Sequence, residues 1–140
     1  MGVNTMTLVV CVDSRGGLLF HERRQSQDRL LRQDLLREAA GRRLWMNAYS
    51  FRQFRGEAQD GTIQVSETPL LAAGSEDLCF VENLPLTPFP AQAKRLLLYC
   101  WNRMYPADSF LSLPPSWTLL SQEEFPGFSH QKITKELYTL

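Results

Sequence analysis

The stretch AQAKRLLLYCWNRMYPADSF (residues 91–110), continued by SWTLLSQEEF (116–125) and SHQKITKELY (129–138), decides the reading of this chain. Arg95–Trp101 is a continuous apolar run without alternation, the pattern of a strand covered on both faces. Tyr105–Asp108 and Pro114-Pro115 read as turns. Trp117–Phe125 then alternates, Pro126-Gly127 supplies a tight turn, and Ser129–Tyr138 returns with Ile133, Leu137 and Tyr138. Together they predict a C-terminal antiparallel hairpin.

Towards the N-terminus, Thr7–Val12 (TLVVCV) and Leu78–Val81 are two more buried runs, the first ended by the Asp13–Gly17 turn. Between them the sequence predicts a helix over Gln27–Ala40, capped by Ser26 and closed at Gly41. At 100° per residue Leu31, Leu35, Leu36 and Ala39 form one apolar face. Asp28 and Arg32 project within that arc, and Asp34 points away from it. Arg43–Met46 reads as a strand running into Asn47–Phe54, a short helix packing Phe51 and Phe54. Residues 55–77 contain at most a minor edge strand at Thr62–Val65, and the three prolines of Leu84–Pro90 exclude a regular element. Strands spaced by helices imply parallel order, to which the hairpin adds antiparallel strands: a mixed, mostly parallel α/β sheet.

Composition narrows the function classes. A length of 140 residues suits one domain, and 15 basic against 15 acidic residues argue against a nucleic-acid or membrane-surface partner. No apolar run approaches the roughly 20 residues of a membrane helix, and Met1–Thr7 lacks the features of a signal peptide, so the expected location is cytoplasmic. Cys11, Cys79 and Cys100 have no CxxC spacing and read as core residues in a reducing compartment. His21 and His130 come without a ligand set, so no metal site is expected. A serine or cysteine hydrolase is not indicated, for want of a GxSxG elbow or a supported Cys/His pair. The one basic concentration, Arg23, Arg24, Arg29, Arg32, Arg37, Arg42 and Arg43, is offset by Glu22, Asp28, Asp34 and Glu38. It reads as a salt-bridged helix face, or as the approach to an anionic ligand.

The order of elements resembles dihydrofolate reductase along nearly the whole chain. The tail quoted above looks like that family's last three strands, and RRLWMNAYSFRQF (42–54) looks like its strand-to-helix step. The resemblance implies a three-layer fold over 1–140 and a pterin held between the first strand and an acid near the start of the helix, reduced by NADPH. Asp28 is the residue carried over as the catalytic acid. An alignment with a gap would choose Asp34, which the helical projection turns outward. Asp28 could instead form an i,i+4 ion pair with Arg32.

The cofactor positions depart from the family pattern. Where the family grips the pyrophosphate on glycines after the buried strand, this chain has Glu82-Asn83, whose carboxylate is expected to repel an anion. The family's Gly-Arg step is Asn47-Ala48, while Ser50 keeps a hydroxyl able to touch a phosphate or to cap. The adenosine-binding region, about 47–78, is shortened, and the tryptophan the family usually has before the acid is absent. Two readings follow. One is a degenerate NADPH-dependent pterin reductase whose cofactor binding is lost or altered; the other is a non-catalytic module on the same fold for a small pterin-like or anionic ligand or a protein.

Overall fold

The computed structural model describes residues 6–57, 61–86 and 89–140. Among these residues ten strands form: β1 (Met6–Val12), β2 (Gly17–Phe20), β3 (Arg23–Arg24), β4 (Leu44–Met46), β5 (Ile63–Val65), β6 (Leu78–Phe80), β7 (Ala93–Cys100), β8 (Ser109–Phe110), β9 (Thr118–Phe125) and β10 (Ile133–Thr139). The helices are α1 (Arg29–Glu38), α2 (Ala48–Phe51), which runs on into a 3-10 turn at Arg52–Phe54, and α3 (Pro69–Ala72).

Seven strands make one sheet in the order β5-β4-β6-β1-β7-β10-β9. The first five are mutually parallel, and β10 and β9 close the sheet antiparallel, as the hairpin reading requires. Continuous apolar runs form the central strands because both their faces are covered. Val9, Leu97 and Tyr99 point to one core with Leu31 and Leu35 of α1, its C-cap Ala39 and Phe54. Leu8, Val10, Leu96 and Leu98 point to the other, where Ala73 is buried beside partly buried Leu70 and Trp117. This sheet between two apolar layers is the predicted mixed α/β architecture.

Four local readings are corrected. Helix α1 starts at Arg29, not Gln27, and its N-cap is Asp28, whose backbone is extended and whose carboxylate accepts from the N–H groups of Leu30 and Leu31. Ser26 is not the cap because its hydroxyl is engaged by His130. Arg32 does not pair with Asp28 but makes a two-pronged contact with Glu57. Asp34 is not outward: it is buried against Tyr99 of β7 and Lys135 of β10. A polar residue bordering an apolar stripe looks exposed by periodicity, yet long side chains from neighbouring strands reach up and cover it.

The segment between β1 and α1 is ordered as well. It forms a second sheet, β3-β2-β8, whose β2–β3 turn places His21 and Glu22 at φ of +52° and +62°. Both central residues of this turn occupy the left-handed region that Asn-Gly usually fills. Gly17 permits the close approach below it, since an added Cβ would lie 2.7 Å from the Gln25 amide nitrogen and 2.9 Å from the Asp13 carboxylate.

Candidate functional site

The polar residues that departed from expectation gather at the C-terminal ends of β1, β6 and β7, the end of a parallel sheet where ligand sites are normally built. Asp13 follows β1, Glu82 and Asn83 lie just beyond β6, and Trp101 follows β7. The segment 24–28 leading into α1 crosses above them, and the loop between β9 and β10 closes the side.

Asp28 is the anchor of that closure. One carboxylate oxygen accepts from the N–H groups of Leu30, Leu31 and Phe128, and the other accepts from the Ser129 N–H and hydroxyl and lies 2.9 Å from His130 Nδ1. Burial alone would raise its pKa, but the N–H groups of Phe128, Ser129 and Leu30 and the His130 ring outweigh that cost. The carboxyl is held well below the usual range and stays ionised. The loop can come this close because residue 127 is glycine: an added Cβ would sit 2.8 Å from the Asp28 carboxylate and 2.8 Å from the His130 carbonyl. Asp28 is inward, as the helix projection indicated, but its lone pairs are engaged by the protein itself and the residue is only 2% exposed.

With Nδ1 directed at an ionised carboxylate, the imidazole of His130 presents Nε2 as its acceptor. Two hydroxyls meet that nitrogen, Ser26 Oγ at 3.0 Å and Tyr105 Oη at 2.9 Å. Trp101 stacks on the imidazole at 4.6 Å and excludes water from that face. Asp13 fixes the other side of this group, accepting from the N–H groups of Arg15, Gly17 and Tyr105 and from the Gln25 amide. Its pKa is lowered because these donors exceed the opposing effect of burial.

The cofactor-turn residues form a second network. Arg24 makes a two-pronged ion pair with Glu82 at 2.9 and 3.1 Å, and Gln53 donates to the same carboxylate. Burial would lower the Arg24 pKa, but Glu82 more than reverses this. The expected repulsion by Glu82 therefore needs correction: Arg24 neutralises the carboxylate, and what remains is the volume of a side-chain network. Asn47 caps α2 by accepting from the Ser50 N–H and donates to Asn83. The Ala48 N–H donates to the Glu67 carboxylate, so an internal anion already sits at the start of α2. Ser50 is fully buried, and its hydroxyl has no partner among the described residues.

Glu82, Asn83 and Asn47 are thus brought together, Ser50 lies behind them, and Asp28 belongs to the neighbouring His130 group. Sequence reasoning had Arg24 only as one member of the basic run at the approach to an anionic ligand, and missed Gln25, Ser26, Tyr105 and His130 as members of the site. No spacing rule could have joined Ser26 to His130, 104 positions apart. The two networks meet at a small cavity bordered by Cys11, Arg24, Gln25, Ser26, Glu82 and Trp101. Arg24 and Gln25 also wall an adjoining open cleft of about 550 Å³, with Phe20, His21, Arg23 and Tyr105. Burial, reinforced by Glu82 and Cys100, pushes the Cys11 thiol well above its ordinary pKa, so it is no thiolate nucleophile. Among the described residues there is no cluster of three or more metal-ligating side chains, and no helix is long and apolar enough to cross a membrane.

No protein-family model and no curated protein matches the chain. Among solved structures, dihydrofolate reductase from Enterococcus faecalis complexed with NADP(H) and RAB-propyl is similar, with a TM-score of 0.60 over 96% of this chain and 95% of that one, at 11% sequence identity. The likeness is one of fold: this chain has a dihydrofolate reductase-like architecture, built on a sequence of its own.

Proposed function

We propose that this protein has given up NADPH-dependent pterin reduction and uses the same end of the sheet to bind a small anionic or pterin-like ligand in the open cleft beside Arg23 and Arg24. The observation that carries this reading is the Arg24–Glu82–Gln53 network. It occupies the turn after β6, where the resemblance would place the cofactor's pyrophosphate. The residues there do not fit that group: a carboxylate replaces the glycines, and the first N–H of α2 is spent on Glu67. Asp28 supports the same reading, because a carboxylate that already accepts from four backbone N–H groups has no lone pair in reserve for a pterin.

In this reading the chain is one domain whose region 47–78 is too short to build an adenosine site. The cleft offers cationic and aromatic groups, including the stacked Phe20–His21 pair at 3.9 Å, suited to a flat or anionic molecule. The test is titration of the purified protein with NADPH, NADH and dihydrofolate, read by tryptophan fluorescence and calorimetry. No saturable micromolar binding of either nucleotide is expected. Saturable NADPH binding at that level overturns the proposal.

A further inference from the structure

Ser26, His130, Asp28 and Tyr105 stand together in an order that neither ligand binding nor a dihydrofolate reductase-like fold requires. Ser26 is half-buried on the wall of the small cavity, which has about 10 Å³, room for a single water, and is separated from the open cleft by the Arg24 and Gln25 side chains that an entering ester must displace; its Oγ lies 3.0 Å from His130 Nε2. Nδ1 of the same ring lies 2.9 Å from the ionised Asp28, which fixes the tautomer and leaves the Nε2 lone pair facing the hydroxyl. The distances match a nucleophile, a base and a group that orients the base. Ser26 does not cap the helix, and among the described residues its hydroxyl meets His130 and Tyr105.

Tyr105 supplies the remaining element. Its phenol reaches both Nε2, at 2.9 Å, and Ser26 Oγ, at 3.5 Å, and its backbone N–H is pinned to Asp13. Nε2 has one lone pair for two hydroxyls. When Ser26 uses it, the Tyr105 O–H points to Ser26 Oγ through a long contact, from which it can turn to an oxygen forming next to Ser26, as an oxyanion donor must. Gln25 adds an acceptor at the same wall. Its amide nitrogen faces two acceptors, the Asp13 carboxylate and the Pro106 carbonyl, which settles the amide orientation, and its Oε1 is buried without a partner among the described residues.

We propose that Ser26 is the nucleophile of an acyl-transfer site for small carboxylic esters, entered from the cleft that Arg24 and Gln25 border. Ser26 Oγ bonds to the ester carbonyl carbon as its proton passes to His130 Nε2, and the Tyr105 hydroxyl donates to the carbonyl oxygen. The bond to the alcohol breaks, and the alcohol leaves with the proton from His130. Water then attacks the acyl-serine, giving a proton to His130 that returns to Ser26 as the carboxylic acid is released. No oxidant or cofactor takes part. Asp28 is a positioning residue, acting through the ring it orients.

The experiment is covalent trapping of the full chain with a small alkyl fluorophosphonate, followed by intact mass and peptide mapping. The expected result is one phosphonyl group on Ser26, absent in Ser26→Ala, whose thermal melting should match the parent because only a half-buried hydroxyl is removed. Tyr105→Phe should still label at Ser26 but more slowly. Asp28→Asn should lower the first-order rate of adduct formation about a hundredfold while leaving the preceding reversible binding of the probe unchanged, a split that general loosening of the structure would not produce. Hydrolysis of p-nitrophenyl acetate should be lost in Ser26→Ala. An unlabelled parent protein, or an adduct that survives in Ser26→Ala, overturns the proposal. Neither result bears on nucleotide binding, which is read by separate titrations.

Discussion

Asp28 and Asp34 sit six positions apart on one helix, both are buried, and both tie α1 to the C-terminal hairpin, yet they are held in opposite ways. Asp28 is gripped mostly by backbone N–H groups, from its own helix and from Phe128 and Ser129. Asp34 is gripped by side chains alone, the Tyr99 hydroxyl at 2.6 Å, Lys135 at 2.9 Å and the exposed Arg37. Lys135 also serves Glu38 and Glu123, so the second cluster has redundant partners. A backbone-bound acid cannot be re-partnered when it is lost, whereas a side-chain cluster can redistribute. The first arrangement fixes geometry for His130; the second secures a helix.

The largest effect should come from Asp28→Ala, at about 4 kcal/mol in urea unfolding, because four N–H groups and a buried histidine lose their common acceptor. A cost below that of the Asp34 variant would break the comparison. Gly127→Ala should cost about 3 kcal/mol by forcing the loop off Asp28, and a hydrogen-exchange map should place the loosening at residues 126–130 and the start of α1. Asp34→Ala should cost about 2 kcal/mol, mainly from stranding the Tyr99 hydroxyl, with Lys135 still paired to its two glutamates.

Acid sharpens the contrast further. Asp28 has a folded pKa depressed below its unfolded value, so its stabilising contribution is complete above the ordinary carboxylate range and is lost as pH falls below about 4. The stability gap between the parent and Asp28→Asn should accordingly narrow between about pH 5 and about pH 3, as the unfolded carboxyl takes up its proton; a gap that stays constant would show that charge has no part in the clamp. The smallest effect belongs to Arg37→Ala. Its side chain is 70% exposed, and equilibrium unfolding should change by less than about 0.5 kcal/mol.

The sheet was legible because each central strand is an uninterrupted apolar run, and the hairpin because Pro126-Gly127 stands between two alternating segments. Helix α1 was legible in its interior and wrong at its edges. Ser26 and Asp28 are both good caps, and only the arrival of His130 decides which of them serves. The short strands β2, β3 and β8 carry too few residues to show a period. The site was the least readable part. Glu82 and Asn83 stood out as departures, but the arginine that neutralises Glu82 looked like one member of a basic helix face. Contacts between Asp28 and the loop before β10 span about a hundred positions, which no local pattern can encode.

That span also orders events in time. Phe128 follows Asp28 by 100 residues, so at ordinary synthesis rates roughly 5 to 20 seconds separate the appearance of the two on a ribosome. During that interval the start of α1 has its own two N–H groups for company and nothing from the loop. Gly127 is therefore a latch closed by the last strand pair to arrive. A chain caught before β10 has docked lacks the contacts of His130 with Asp28 and Ser26, so the arrangement proposed around Ser26 assembles only when this hairpin closes.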